Sequence, residues 1–455
     1  MVFWGAMAHV TVIVLVALAT AFQLIGAANA QTPPAPRPST PEGTRPTPPA
    51  PASSEIGARP LTIDECIAIA LEGQPTIQER LAAYAAARYR VNQAFAPLLP
   101  QLSAQVGAAR VRSTSSGGQP QDSQFADTFA AQLLLSQLLF DFGKNLAETE
   151  GRRKLAEVEV ENVELQRQLI SATVKEAYTN TLFSQRLIRV QEQAQERAEL
   201  NLRSAKGFFE VGTRPKSDVA RAEVDVANAK LDLIRAKNAL RSAIVALNTA
   251  MAINVDTWTQ IVDNLIYQAV VLDRQQLRSE SLRQRPEYRS AKLTAAAAEA
   301  RERKAFRDFL PDLTGQGAYG ATQKDLNEAW SIGLSLNWSF FDGGGRIARY
   351  QEAKALLEGA RAAVKSTELS ILQNVEQAEI AVEETAERIQ AAQALVASAQ
   401  ENFRLAQGRF DAGVGTILEL TDAQLALTQA QNTESQALAD YRIALARLDR
   451  AVGRR

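Results

Sequence analysis

The chain of 455 residues contains one cysteine, Cys66, and one histidine, His9. His9 falls in the N-terminal apolar segment, so the rest of the chain has no histidine with which to build a Cys/His metal centre or a Ser–His triad. A lone cysteine cannot close an internal disulfide. Cys66 is expected as a small buried side chain in a short helix over Ile63–Leu71, and it lies too far from the cleavage region to carry a lipid. The three methionines give no support for copper handling. Net charge is also lacking: 50 Lys and Arg oppose 51 Asp and Glu, a formal charge of −1. A general nucleic-acid-binding role therefore has no electrostatic footing. No cofactor or metal is expected, and a hydrolase reading has no residues to name.

Proline is missing from every long helical pattern. Ten of the seventeen prolines fall within residues 31–60, which read as a polyproline-like leader. The other seven punctuate. Pro75 and Pro286 precede helical patterns; Pro97, Pro100 and Pro311 close them; Pro120 and Pro215 mark a loop and a turn. Before the leader, the apolar run Val10–Ile25 followed by Ala28-Asn29-Ala30 is expected to be a cleaved export signal over residues 1–30. It is short for a membrane span, the alternative reading. The basic segment that usually precedes such a core is missing, and Met7 is an alternative start.

What is present is a duplication. Gln74-Pro75 matches Arg285-Pro286, and Leu99-Pro100-Gln101-Leu102 matches Leu310-Pro311-Asp312-Leu313, at an offset of 211 residues. From Phe129 and Trp330 onward the offset is 201, so the first copy carries a longer loop within Ser113–Gln124. Two copies point to one pseudo-symmetric unit rather than a solenoid. The copies are assigned to residues 61–258 and 275–455, with a linker at 259–274 inside an irregular belt, Asn254–Ser279. Each copy reads as short helix, medium helix, two strands, long helix, tip, medium helix. The tips are Gly207–Asp218 and Gly408–Glu419, where glycine interrupts the helical pattern as a left-handed cap would.

The strands are expected near 102–111, 128–139, 312–321 and 330–340. In the last, Trp330, Ile332, Leu334, Leu336, Trp338 and Phe340 alternate with Ser331, Gly333, Ser335, Asn337 and Ser339. A large apolar face against a small polar one is the pattern of a membrane-barrel strand. Phe129, Trp330, Leu334 and Trp338 are the candidate membrane-facing residues, with aromatics at interfacial levels. Four strands cannot close a barrel, and an open edge in lipid leaves backbone groups unpaired, so strands must be pooled between chains. Gly143–Gly207 and Gly345–Gly408 each predict about 90 Å of helix. The medium helices, Pro75–Phe95 with Pro215–Thr249 and Pro286–Phe309 with Thr416–Val452, nearly equal that length when stacked end to end. The Ala-, Gln- and Glu-rich faces suit a wall of helices better than a two-stranded heptad coil.

The tips, the Leu-Pro-x-Leu strand entries and the strand exits Leu139-Phe140-Asp141 with Gly143 and Phe340-Phe341-Asp342-Gly343-Gly344 together resemble the TolC-like outer membrane efflux proteins. The resemblance spans about residues 60–452. It implies a mainly α fold with a small β part: long helical hairpins form a trimeric α-barrel tunnel in the periplasm. Three chains would pool twelve strands into one outer-membrane β-barrel. It implies a homotrimer embedded in outer-membrane lipid, working with a periplasmic membrane-fusion adaptor and an inner-membrane pump of RND, ABC or MFS type. The chain would be an exit duct for efflux or type I secretion, not an enzyme. Drug efflux, metal efflux and protein secretion stay open. The alternative is a periplasmic or surface coiled-coil scaffold without a pore.

The family's gate carboxylates match Glu419 and Asp422, which share a helix face at i, i+3. Glu419 also completes a capping box with Thr416; Asp422 has no capping role, so it is the better gate candidate. Gly212, Thr213, Arg214, Asp218, Phe410, Gly413, Gly415 and Thr416 are the tip positions expected to meet the adaptor. The family's latch, a Tyr and an Arg on the second tip, is replaced here by Phe410 and Gly415. Arg214, Lys216 and Arg409, with Asp411 and Asp218 as possible partners, are expected to be solvated charge.

Overall fold

The structure is a computed structural model describing residues 59–113, 124–322 and 327–455. The expected export signal and nearly all of the Pro-rich leader lie outside the described residues. Each repeat begins with paired helices: α1 (Ile63–Gly73) and α2 (Pro75–Phe95), then α5 (Arg274–Gln284) and α6 (Pro286–Arg307). Thr62 and Glu65 form a reciprocal capping box that starts α1. Pro75 and Pro286 open α2 and α6, at the position where a missing N–H costs nothing. The belt is shorter than Asn254–Ser279: Asp273 accepts from the amides of Gln275 and Gln276 and starts α5 inside that range.

The strands follow: β1 (Gln101–Ser113) and β2 (Gln124–Phe140) in the first repeat, β3 (Asp312–Thr322) and β4 (Asn327–Asn337) in the second. They form one antiparallel sheet in the order β1-β2-β3-β4. β4 stops at Asn337, not Phe340. Asn337 pairs with Asp312, and the next residue on β3 would be Pro311, which has no N–H to continue the ladder. Trp338 instead donates its indole N–H to the Phe309 carbonyl at 3.1 Å and packs on Phe340, with ring centroids 4.4 Å apart.

One sheet face carries Leu102, Val106, Leu135, Tyr319, Trp330, Ile332, Leu334 and Leu336, all exposed in the single chain. The other carries Ser103, Gln105, Gln132, Ser136, Thr314, Gln316, Ser331, Ser335 and Asn337. A shift between Leu138 and Phe140 sets Phe140 opposite Leu313. Such a bulge re-aims the strand at its end.

The long helices are α3 (Lys144–Glu210) and α7 (Gly345–Asp411), of 67 residues each, or about 100 Å. They exceed the expected length because Gly207 and Gly408 are themselves helical. The left-handed turns fall at Gly212 (φ 76°) and Gly413 (φ 78°). α4 (Lys216–Ala250) and α8 (Ile417–Val452) return from the tips.

α2 and α4 both pack on α3, while α6 and α8 both lie between α3 and α7. The shorter helices meet end to end at equivalent points of the two repeats. Gln74, capping α2, donates to the Ala250 carbonyl at the end of α4 (3.1 Å), and Arg285, capping α6, donates to the Ala451 carbonyl near the end of α8 (3.3 Å). Each side chain thereby satisfies a terminal carbonyl that its helix cannot.

Around these joints lies the largest apolar core, with Leu61, Val174, Leu182, Leu247, Met251, Leu265 and Ile389 almost fully buried. The belt closes over it. Leu61 exchanges backbone hydrogen bonds with Gln260 and Val262, and Tyr178 donates to the carbonyls of Val262 (2.8 Å) and Leu61 (3.2 Å). Cys66 is fully buried here, and burial pushes its thiol up to about 12, so it is unreactive packing. Although burial opposes the charge on Asp263, Arg189 and Arg186 hold its carboxyl below the usual range, pinning the belt to α3.

Leu247→Ala should therefore cost about 2–5 kcal/mol, whereas Val271→Ala, on the exposed belt, should stay within about 0.5 kcal/mol. Denaturant unfolding followed by helical circular dichroism in detergent measures both. Equal midpoints for the two variants would show that the stabilising core is not at the joints.

Candidate functional site

The two hairpin tips come together through one arginine. At the first tip, Gly212 turns the chain, and Thr213 donates both its N–H and its hydroxyl to the Phe208 carbonyl (2.9 Å each). Pro215 precedes α4, and Asp218 stands in its first turn. At the second tip, Gly413 turns, and Val414 and Gly415 both donate to the Arg409 carbonyl. Gly415 is packed against Arg409 and Phe410 so closely that an added Cβ would lie 2.9 Å from each. Thr416 accepts from the Glu419 amide to start α8.

Arg214 leaves the first tip and enters the second. Its guanidinium lies 4.5 Å from the centre of the Phe410 ring, donates to the Gly415 carbonyl at 2.5 Å, and is held by Asp218 at 3.6 Å. The Arg214 and Asp218 side chains are only 12% and 15% exposed, so the expectation of solvated charge fails for both. Phe410 is fully buried beneath Arg214, edge-on to Phe208 at 5.7 Å and packed with Ile417 and Leu420. The physical reason is that Phe410 offers a face for a planar cation, and the close turn at Gly415 presents a carbonyl that Arg214 satisfies. Lys216 and Asp411 are exposed, as expected of solvated charge.

The gate candidates differ from one another. The Glu419 carboxylate pairs with Arg409 at 3.1 Å, so only the Thr416 half of the expected capping box forms. Asp422 is exposed and has no partner among the described residues. Arg409 thus pairs with Glu419 rather than with Asp411.

Above the tips, a polar ladder joins the hairpins that sequence reasoning missed. Thr421 donates to Asp225 (2.9 Å), Asn201 to Gln424 (2.7 Å), and Gln424 to the Ala194 carbonyl (3.1 Å). Higher still, Arg197 donates to Gln431 (3.3 Å) and sits over Phe403; burial lowers its pKa. These residues carry no motif. Their only signal was a polar side chain recurring on a face that a soluble helix pair would fill with leucine.

At the far end, Trp330, Leu334 and Trp338 are 72%, 73% and 48% exposed. The Phe129 side chain lies outside the described side chains; its backbone pairs with Ala108. No described helix is long and apolar enough to cross a membrane, and no described cluster of acidic, cysteine or histidine side chains could hold a metal.

A rod of paired hairpins carrying an apolar-faced, open-edged sheet at one end defines a subunit of an outer-membrane duct. The chain belongs to the outer membrane efflux protein family, which matches residues 66–252 and 277–454. Nodulation protein T of Rhizobium leguminosarum bv. trifolii is 23% identical over 83% of this chain and 82% of its own length. The alkaline protease secretion protein AprF of Pseudomonas aeruginosa is 26% identical over 84% of this chain and 82% of its own. Among solved structures, the Campylobacter jejuni CmeC outer membrane channel superposes with a TM-score of 0.75 at 19% identity, covering 86% of this chain and 85% of that one. The protein is thus an outer-membrane efflux or secretion channel, a conduit and not an enzyme.

Arg214→Ala removes the cation–π contact and the cross-tip hydrogen bond, each worth about 1 kcal/mol. Amide hydrogen exchange across residues 410–420 should quicken about ten-fold or more, with Arg214→Lys intermediate. Unchanged exchange in Arg214→Ala would mean that this side chain does not join the tips.

Proposed function

We propose that three copies of this chain close into one duct, with the sheet in the outer membrane and the tips in the periplasm. An inner-membrane pump and a periplasmic adaptor, docked on the tips, would feed it. The observation that carries this reading is the sheet with two open edges. β1 and β4 are the edge strands of the described sheet, and their directions allow the β4 of one copy to pair antiparallel with the β1 of the next. Three copies supply twelve strands, enough for closure.

The helical wall supports the same closure. Its two flanks present apolar residues left about half exposed in the single chain: Val224, Leu231, Ile234 and Val245 on α4, and Leu356, Leu369, Ile380, Leu395 and Leu405 on α7, each 46–58% exposed. Together they make one long seam per copy, which joining α4 to the α7 of the next copy would bury. A scaffold without a pore would leave both the seam and the sheet edges uncovered.

Within the duct, Asp422 and Glu419 would form the carboxylate rings of the periplasmic mouth. Arg409 neutralises much of the Glu419 charge, so Asp422 dominates cation attraction. Gly212, Thr213, Gly413 and Thr416 form the outermost turns and are the surface offered to the adaptor. The cargo, whether drug, metal or protein, is set by the pump.

Single-channel recording of the purified protein in planar bilayers tests this reading. A small cation-selective conductance is expected. Asp422→Asn should lower that selectivity more than Glu419→Gln, and Arg409→Gln should raise it by freeing Glu419. Selectivity indifferent to all three changes would remove the gate assignment, and the absence of any channel would count against the duct.

A further inference from the structure

Two open grooves flank the junction of α2 and α3, directly beneath the sheet. One, of about 350 Å³, is lined by Phe95, Leu146, Thr149, Glu150, Arg153 and Lys154. The other, of about 410 Å³, is lined by Arg90, Gln93, Ala94, Glu148 and Arg152. On α3 the first set recurs at i, i+3, i+4, i+7 and i+8 from Leu146, while Glu148 and Arg152 fall on nearly the opposite side. The grooves therefore open on the two faces of the wall, and they differ in chemistry. The first exposes two apolar side chains, Phe95 (42%) and Leu146 (57%). The second has no large apolar side chain: Ala94 lies among Arg90, Gln93, Glu148 and Arg152.

We infer that the first groove faces outward and binds a glycerophospholipid with an anionic headgroup, drawn from the periplasmic leaflet of the outer membrane. This rests on the membrane placement of the sheet. Leu146 lies six residues beyond Phe140, the last residue of β2, and Phe95 ends α2 just before β1. Both thus sit at the lower margin of the hydrocarbon, where an acyl chain can lie against them. Arg153 stands about 15 Å along α3 from its start. Helical side chains lean toward the N-terminus, which here is the membrane end, so its guanidinium reaches back toward the headgroup level.

The other charges in the groove are already committed. Glu150 pairs with Arg303 at 2.9 Å, and Lys154 with Glu157 at 2.9 Å. Arg153 is exposed and has no ion pair or hydrogen bond among the described residues. One free guanidinium above an apolar floor complements a lipid phosphate whose chains lie on that floor. The apolar floor is also what separates a lipid from a free phosphate, which would gain nothing from Phe95 or Leu146.

The test is native mass spectrometry of the intact detergent-solubilised protein, titrated with phosphatidylglycerol or with phosphatidylcholine. Phosphatidylglycerol should be retained about ten-fold more tightly. Arg153→Gln should abolish that preference, Leu146→Gln should weaken retention of both lipids, and Arg90→Gln in the opposite groove should change neither. Glycerol phosphate at millimolar concentration should not displace the lipid. Equal retention of the two lipids, an effect of Arg90→Gln as large as that of Arg153→Gln, or displacement by glycerol phosphate would each overturn the site. These results would leave the duct untouched, whereas a wild-type protein soluble without detergent would sink the membrane placement itself.

Discussion

A backbone N–H or carbonyl in hydrocarbon has no water to turn to, and that constraint organises this chain. The four strands pair among themselves across three ladders, and β1 and β4 are left as the edge strands of the described sheet. The apolar alternation on one face places those edges in lipid. The remaining architecture accommodates that deficit. The duplication supplies an even number of strands whose directions suit closure, and the helical wall ends on two apolar flanks that match the sheet edges in being incomplete.

The opposite end follows a different logic. There the two repeats, related in sequence, make unequal contacts. Phe410 is buried, while its counterpart Phe209 is 43% exposed and Phe208 takes the inner position. Arg214 of the first tip satisfies a carbonyl of the second, so the tips are joined by a planar cation on an aromatic face as well as by the Phe208–Phe410 ring contact. The ladder above, from Asp225–Thr421 to Arg197–Gln431, is likewise polar. Water can replace polar contacts one at a time, so along the ladder the apolar surface exposed by parting the hairpins is confined to rings such as Phe208 and Phe410 at the tips.

Much of this was legible in the sequence, for identifiable reasons. Prolines confined to boundaries made the helix limits readable, and period-two alternation over residues 330–336 made β4 readable. The misses were also physical. Gly207 and Gly408 resembled caps, but a glycine is tolerated within a helix, and the positive φ falls five residues later in each copy. The last turn of the expected β4 failed because its end depends on Pro311, a residue on the neighbouring strand. Arg214 was readable only as a possible partner of Asp218, a pair that forms at 3.6 Å, and not as the residue that enters the second tip. Its role depends on a ring and a carbonyl about 200 residues away, and nothing in a local charge pattern distinguishes a buried arginine from a solvated one.

The end-to-end joints at Gln74 and Arg285 also have a mechanical meaning. Two of the four struts in each copy, α3 and α7, run unbroken from membrane to tip; the other two are each cut at the belt. Such a wall has all its helix breaks at one height, where the largest apolar core packs them. Below that height α4 extends 35 residues, about 50 Å. A tilt of about 5° at the joints would swing a tip by about 4 Å over that lever arm, while the sheet above, on the far side of the hinge line, stays still. A motion about the belt would let one end of the proposed tube move without disturbing the sheet at the other.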